Sequence, residues 1–387
     1  MVSRALKIVQ YGALPYLHAE LSHTGKSYRF AQTTTRLVVT SVYAVLVVLS
    51  GIPPLLVLIY DLNTLDLTEW ISLLELLLEW CSALLAYLIF FHHRMQTTNL
   101  LNETINTSER MLSANAARAN HFPRIVNRWL IRLTIIVTFH LLLACSISDA
   151  IPEQWLSDPL HSVSYRFSLF CASFILSTYV RSLELYMLFI DHTQRRLYGS
   201  LNIAMQDLTQ IQSYRRVLRM IEDDAELNGL VVAFVQLQNA VIASVLFYHF
   251  FGTVSDSYEL FVGLKEVFDA VRHGHALFGA VLLRSSLKLL LRCIDFHSMI
   301  YGFNKLHQRQ IDSTFSVCQN IPAAEPWGAG INYGRMQEIV TLHMMHKSAS
   351  IDISGVISLN NSLLFKVMGS TLGFIVLLMQ FKLSEQV

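Results

Sequence analysis

Long apolar segments recur along this chain, and they limit its fold more than any other feature of the sequence. The first, Leu37–Tyr60, contains no Asp, Glu, Lys or Arg, and about 20 apolar residues are enough for a helix to cross a membrane. Hydrophobic residues make up 53% of the chain and charged residues 15%, whereas soluble domains have about 25% charged residues. With a mean hydropathy of +0.43, the sequence predicts an all-α, polytopic membrane protein.

Seven segments are predicted to cross the membrane. In the sixth, Arg284, Lys288 and Arg292 interrupt the apolar sequence, which makes it the weakest, and Pro53 and Pro54 predict a kink in the first. The seven segments are Leu37–Tyr60, Trp70–Phe91, Trp129–Ile147, Tyr165–Ile190, Gly229–Phe251, Ala276–Ile300 and Leu363–Phe381.

Lysine and arginine are concentrated in alternate connecting segments. The loop 92–128 has five arginines, whereas the loops 61–69 and 149–164 have three acidic residues each and no Lys or Arg. The positive-inside rule therefore predicts a cytoplasmic N-terminus and, after seven crossings, an extracellular C-terminus. This orientation is opposite to that of a G-protein-coupled receptor. The glycosylation sequons at Asn102 and Asn106 lie in a loop predicted to be cytoplasmic, so modification at either site would invert this topology.

The chain is predicted to form a single seven-helix domain, 1–387. Helical spacing continues past the fourth span through Leu197 and Leu201, which predicts a cytoplasmic helical extension. Pro322 and Pro326 predict a poorly ordered loop over Asp312–Trp327. The predicted parts are helices 1–4 (37–190), the cytoplasmic helical extension (191–228), helices 5–6 (229–300), a cytoplasmic loop and anchor (301–350), and a pore helix with a short tail (351–387).

Several functional classes find no support in the sequence. The net charge of +1 gives no reason to expect a nucleic-acid partner. No catalytic triad or phosphate-binding loop is present, and the histidines and five scattered cysteines follow no metal-ligand spacing. We therefore expect no enzyme, no cofactor, no metal site and free, buried thiols. We also expect no removable signal peptide, and we find no repeated halves of the kind that transporters have.

The end of the last predicted helix carries the most specific pattern in the chain. Gly373-Phe374 is followed by five apolar residues and then by Gln380-Phe381. A glutamine at membrane depth costs free energy unless it finds a partner, water or a pore.

This ending resembles the closing signature of the insect gustatory receptors, seven-span chemoreceptors related to the insect olfactory receptors. In that family the signature is Thr-Tyr, five hydrophobic residues and Gln-Phe, so Gly373-Phe374 replaces Thr-Tyr here. The alternation over 355–360 and the opening residues 9–15 and 24–26 are also similar to the family pattern.

The resemblance implies a ligand-gated, non-selective cation channel in the plasma membrane of chemosensory neurons. Such channels are tetramers, here homomeric or formed with other gustatory receptors, with a pore lined by the last helix. A tastant binds among the outer halves of helices 2–6 in each subunit. We expect a bitter or aversive ligand; the alternatives are a sugar-sensing member of the family or a G-protein-coupled receptor. By resemblance the pore and gate residues are Gln380, Phe381, Leu377, Val376 and Gly373.

Charged and polar residues inside the predicted spans are the candidate ligand contacts. Glu75 and Glu79 are four residues apart and share one helix face, and carboxylates inside an apolar run indicate a functional site. The alternatives are location at the membrane interface or an ion pair with another helix, for which the stripe Arg284, Lys288 and Arg292 is the candidate partner. The uncharged candidates, each with helix packing as its alternative role, are Trp70, His140, Tyr165, Phe170, Gln236, Asn239 and Tyr248.

Overall fold

Helices make up almost all of the structure. The computed structural model describes residues 17–21, 28–32, 34–52, 55–56, 59, 67–113, 122–146, 159–206, 211–272, 279–319, 335, 338–343, 352–353 and 357–384. The long helices in this part are α1 (Thr34–Ser50), α2 (Leu67–His92), α3 (Arg94–Ser113), α4 (Phe122–Ser146), α5 (Pro159–Gln206), α6 (Ile211–Arg272), α7 (Gly279–Gln319) and α8 (Asn361–Ser384).

Two short antiparallel hairpins accompany the helices. β1 (Leu17–Leu21) pairs with β2 (Tyr28–Gln32), and β3 (Asp352–Ile353) pairs with β4 (Ile357–Ser358). The fold is therefore nearly all helical, and the prediction of an all-α chain was too strict. The second hairpin leads directly into α8, where the Asn360 side chain accepts a hydrogen bond from the Leu363 N–H at 3.3 Å and caps the helix.

Each of the seven predicted spans overlaps one of these helices. Four helical segments are long and apolar enough to cross a membrane: Trp70–His92, Phe170–Ala204, Arg215–Lys265 and Asn361–Gln380. Thr40–Leu49 and Trp129–His140 are shorter apolar helices. That all seven cross the membrane, and in which direction, stays a prediction.

One helix has no counterpart among the predicted spans. α3 lies within the predicted loop 92–128 and follows α2 after a turn at His93, whose carbonyl accepts a hydrogen bond from the Thr97 N–H at 2.9 Å. Hydrophobic periodicity did not indicate α3 because hydroxyl residues occupy much of its buried face. The hydroxyl residues of both sequons, Thr104 and Ser108, are among them, at 1% and 0% exposure.

The helices α5, α6 and α7 pack closely along their length. At 62 residues and a rise of about 1.5 Å per residue, α6 is roughly three times longer than the hydrocarbon layer is thick. The Tyr186 and Phe234 rings are 4.3 Å apart. Toward the predicted cytoplasmic ends, Gln194 and Gln310 both donate to the side-chain oxygen of Asn228, at 3.0 and 3.1 Å. These contacts join all three helices.

Two predicted loop regions are helical. The predicted outer loop that begins after Phe251 is part of α6 up to Arg272, and residues 301–319 belong to α7. The prediction of a poorly ordered loop was therefore wrong for residues 312–319; the rest of Asp312–Trp327 lies outside the described residues. Buried residues at helical spacing, including Val254 and Tyr258, keep the first region packed.

Candidate functional site

A group of charged side chains joins α2, α6 and α7 inside the bundle. We call Glu75, Asp256, Glu259, Lys288 and Arg292 the Arg292 cluster. Arg292 forms ion pairs with Glu75 and with Asp256, the latter at 2.6 Å from its Nε. The Lys288 ammonium lies 3.1 Å from Glu75, 2.9 Å from Asp256 and 3.6 Å from Glu259.

Glu75, Asp256 and Arg292 are buried, whereas Lys288 and Glu259 are half-buried. Glu75 is 3% exposed and Asp256 is fully buried. The Ser255 hydroxyl donates to Glu75 at 2.6 Å, and Ser72 donates to Glu259 at 2.8 Å. Buried charges are tolerated when they are paired and hydrogen-bonded, and both conditions hold here except that Arg292 Nη1 and Asp256 Oδ1 have no hydrogen-bond partner among the described residues. The ion pair with another helix, one of the alternatives for Glu75, is therefore what the structure contains.

Gly252 makes room for the Arg292 side chain. A Cβ atom at this position would overlap the guanidinium group. On the same helix, the Tyr248 ring lies 4.6 Å from the guanidinium carbon, which is a cation–π contact. Arg292 is therefore enclosed by two carboxylates, an aromatic ring and a glycine.

Glu79 lies one helical turn after Glu75 and is also 3% exposed. The Ser173 hydroxyl of α5 donates a hydrogen bond to its carboxylate. In the part of the chain that the structure describes, no lysine or arginine lies within ion-pair distance of Glu79. Next to Ser173, Phe170 stacks on Phe174 with ring centroids 5.7 Å apart.

A second buried group joins α4, α5 and α7, and we call Arg181, Glu184, Asp295 and His140 the Arg181 cluster. Arg181 lies 3.0 Å from Glu184 and 2.6 Å from Asp295, and it also contacts the Ser298 hydroxyl. Arg181 and Glu184 are three residues apart on α5, so their ion pair lies within one helix. His140 Nε2 lies 3.5 Å from the other Asp295 oxygen.

His249 lies between the two clusters. Its ring is 5.1 Å from the Tyr248 ring and 6.2 Å from the Phe296 ring. It is 3% exposed, and neither ring nitrogen has a hydrogen-bond partner within the part of the chain that the structure describes. A buried polar group without a partner costs about 1–3 kcal/mol, so this position favours a water molecule or a polar ligand group.

The structure brings together four of the predicted ligand contacts: Glu75, Glu79 and Tyr248 around the Arg292 cluster, and His140 in the Arg181 cluster. The two clusters are close because successive turns of α7 carry Lys288 and Arg292 of the first cluster and Asp295 of the second.

The other predicted contacts lie elsewhere or are less well defined. Trp70 is half-buried in the first turn of α2, and Asn239 is half-buried on α6. Gln236 is exposed and lines a groove against α3, so it does not belong with the clusters. It lies twelve residues before Tyr248, about 18 Å along the helix. The Tyr165 side chain lies outside the described residues.

Several residues of the clusters were missed by the sequence reasoning. Ser255, Asp256 and Glu259 fell in the predicted loop 252–275 between the fifth and sixth spans, which is acidic on balance. Their helical spacing, facing the basic residues of the sixth span, was the signal that could have identified them. Asp295 and Ser173 had no such signal, because each pairs only through the tertiary fold.

The predicted pore residues lie on an uncovered helix. Val376 is 54% exposed and Leu377 46%, and Gly373 and Gln380 are also exposed. The Phe381 side chain lies outside the described residues. One ring contact links this helix to the bundle, between Phe374 and Phe250 of α6 at 5.9 Å.

Neither metal ligands nor disulfides are found in the described part of the chain. No group of three or more His, Cys, Asp or Glu side chains there is arranged to hold a metal ion. Cys81, Cys171 and Cys293 are free thiols, but Cys81 and Cys293 are exposed and Cys171 is half-buried. The expectation of buried thiols was therefore wrong for these three cysteines.

Long apolar helices around buried ion pairs, with one apolar helix left uncovered, define an α-helical membrane protein. The chain belongs to the 7tm chemosensory receptor family, whose sequence profile matches residues 11–385. This confirms the family expected from the C-terminal motif, and because the family is one of receptors, the chain is not an enzyme.

Solved structures agree with the fold. The insect olfactory receptor OR5 from Machilis hrabei superposes with a TM-score of 0.71 at 11% identity, over 98% of this chain and 97% of that one. The same receptor in complex with eugenol gives a TM-score of 0.61 at 12% identity, with the same coverage. No curated protein matches the chain by sequence.

Proposed function

We propose that the protein is a tastant-gated, non-selective cation channel in the plasma membrane of chemosensory neurons. Its subunits form a tetramer, homomeric or with other gustatory receptors, and α8 of each subunit lines a central pore. Family membership and the Gln380-Phe381 ending support this function. The ligand is a bitter or aversive compound, with a sugar as the alternative.

The observation that carries the proposal is the exposure of α8. Only 6% of its apolar window is buried within the chain, whereas the other three candidate spans are 50% to 72% buried. A membrane helix that its own chain leaves uncovered must face lipid or other subunits. The exposed amide of Gln380 favours subunits around water, since an unpaired amide facing hydrocarbon is unfavourable.

The ligand site is proposed to lie at the Arg292 and Arg181 clusters. They provide donors, acceptors and aromatic surface among α2, α4, α5, α6 and α7, as a site that orients a small polar ligand requires. The OR5 receptor with a similar fold has been determined in complex with eugenol. Phe250 lies between Tyr248 and Gly252 on α6 and contacts Phe374 of α8, which supports coupling between this region and the pore helix.

Recordings of tastant-evoked currents test the pore assignment. Gln380→Ala is expected to change single-channel conductance or the resting open probability while surface expression is retained. Gln308→Ala is the matched control, because it removes an exposed amide on α7 that donates to Asp312 at 3.0 Å, away from the predicted pore. Currents of Gln380→Ala identical to those of the control would remove Gln380 from the pore.

Epitope tags on intact cells test the orientation. A C-terminal tag that antibodies reach without permeabilisation supports the proposed topology. A tag reached only after permeabilisation, together with an exposed N-terminal tag, would contradict the channel proposal and favour a G-protein-coupled receptor.

A further inference from the structure

An open groove lies between α3 and α6, away from both clusters. Its volume is about 570 Å³. α3 and the turn before it contribute five of the described lining residues, most of them polar, and α6 contributes the other three. The lining residues are His93, Gln96, Asn99, Leu100, Glu103, Ala233, Gln236 and Leu237.

The groove begins where the apolar part of the bundle ends. The candidate span Trp70–His92 stops one residue before His93, and α3 continues as a polar helix. At this junction the Arg94 guanidinium lies 5.0 Å from the centroid of the Phe91 ring. Aromatic and basic side chains are typical of the membrane–water interface. In the predicted orientation, this level is the headgroup region of the cytoplasmic leaflet.

Apolar surface continues from the groove toward the membrane interior. On α6, Gln236, Ala240 and Phe247 lie on one helix face, and Phe247 is 55% exposed. On the neighbouring α2, Leu88 is 58% exposed and Phe91 43%. A polar groove at the interface with an uncovered apolar stripe beside it matches an amphiphile: a polar head and a hydrocarbon tail.

The charges of the groove lining indicate which kind of lipid headgroup can bind there. Glu103 is the carboxylate in the groove, and neither lysine nor arginine is among the described residues that line it. An anionic head would therefore meet a like charge at Glu103, while the nearby Arg94 guanidinium lies over the Phe91 ring rather than in the lining. A primary ammonium group can donate hydrogen bonds to the Glu103 carboxylate and to amide oxygens, whereas a quaternary ammonium has no N–H to donate. The amide N–H groups of Gln96, Asn99 and Gln236 are suitable donors to a phosphate.

We propose that this groove binds a phospholipid whose headgroup carries a primary ammonium, with its acyl chains along the Ala240–Phe247 face of α6. The proposal concerns lipid binding and holds whether or not the protein conducts ions.

Lipid competition on the full-length protein tests this proposal. The protein is placed in bilayers of equal phosphatidylethanolamine, phosphatidylcholine and phosphatidylglycerol, and the bound lipids are measured by native mass spectrometry. Phosphatidylethanolamine should be enriched. Because Glu103 is exposed, Glu103→Gln should reduce that enrichment by only about threefold, as expected for a solvent-accessible ion pair. Gln236→Leu should reduce it as well.

The control is Glu222→Gln, which neutralises an exposed carboxylate of α6 outside the groove and should leave the enrichment unchanged. Size-exclusion elution identifies any variant that has lost its fold. Equal retention of the three lipids by the unmodified protein would overturn the proposal. Identical enrichment in Glu103→Gln, Gln236→Leu and the control would also overturn it. A change of oligomeric state in the groove variants, with the lipid preference retained, would overturn it as well, because the groove would then be a contact between subunits.

Discussion

Gly252→Ala tests the packing of the Arg292 cluster most directly. The added methyl group would overlap the Arg292 guanidinium, so either the helices separate or the arginine leaves its carboxylates. Overpacking of a core costs about 1–3 kcal/mol, and breaking a buried ion pair costs about 3–5 kcal/mol. Because Glu75 and Asp256 both hold the guanidinium, we expect a destabilisation of about 3 kcal/mol, between these two outcomes.

The assay is thermal denaturation of the detergent-solubilised protein at a fixed heating rate, followed by size-exclusion chromatography. A loss of about 3 kcal/mol corresponds to a decrease of about 4 °C in the apparent midpoint for a chain of this size. Gly263→Ala is the matched control on the same helix, because no heavy atom lies within 4 Å of the Cβ that it would add. Alanine favours a helix over glycine by about 1 kcal/mol, so the control midpoint should stay constant or increase slightly.

Equal midpoints for the two glycine variants would refute the close packing of Arg292 on Gly252. A double-mutant cycle adds a second criterion. In an Arg292→Met background the guanidinium is gone, so the additional effect of Gly252→Ala should become smaller than in the native background. If Gly252→Ala destabilised the Arg292→Met protein as much as the native protein, the destabilisation would not come from contact with Arg292.

Two further substitutions test single hydrogen bonds by the same midpoint assay. Trp129→Phe removes a buried donor to the Arg181 carbonyl, a bond of 2.9 Å, and should cost about 1–3 kcal/mol; an unchanged midpoint would mean that this carbonyl has another partner. Asn360→Ala removes the cap of α8 and should cost about 1 kcal/mol. Asn360→Asp keeps an acceptor and should preserve stability, and an equal loss in both variants would contradict the capping role.

The positions of the apolar helices could be predicted because a helix that lies in hydrocarbon needs a long run of apolar residues, which is visible in the sequence. Every predicted span overlaps a helix, and α2 (Leu67–His92) differs from the predicted Trp70–Phe91 by only a few residues at its start. The ends of the longer helices could not be predicted in this way. Beyond the membrane a helix carries polar residues on its outer face. The sequence of residues 252–272 is no longer a continuous apolar run, and this part of α6 was therefore predicted to be a loop.

The polar helix α3 shows a second limit. Its buried positions include Thr97, Thr104 and Thr107, at 0% to 1% exposure. Threonine and serine can be buried when their hydroxyl groups bond to the preceding turn, as Thr104 does with the Leu100 carbonyl at 2.7 Å. A method that recognises helices by apolar periodicity cannot find a face of this kind.

The charged residues of the site could be predicted only in part. Glu75 was expected to contact a ligand, to lie at the membrane interface or to pair with the basic stripe of the sixth span, and pairing with Lys288 and Arg292 is present. Helical spacing could have placed Asp256 on a helix, but it could not show that Asp256 would pair with Arg292 from the other side. Pairing between helices depends on their relative register, which is set by packing along α5, α6 and α7 rather than by the local sequence.

The weakest predicted span proves to be the helix that connects the two clusters. α7 provides Lys288 and Arg292 to one cluster and Asp295 to the other. The residues that lower its hydropathy are thus those that attach it to α2, α5 and α6. Breaking any one of these buried ion pairs leaves an unpaired charge inside the protein, which is costly. The ion pairs therefore hold α7 against its partner helices in addition to the apolar contacts. A ligand that engaged any one of these carboxylates would therefore change the balance of interactions along the whole of α7, and this is the physical reason to test the proposed ligand site there first.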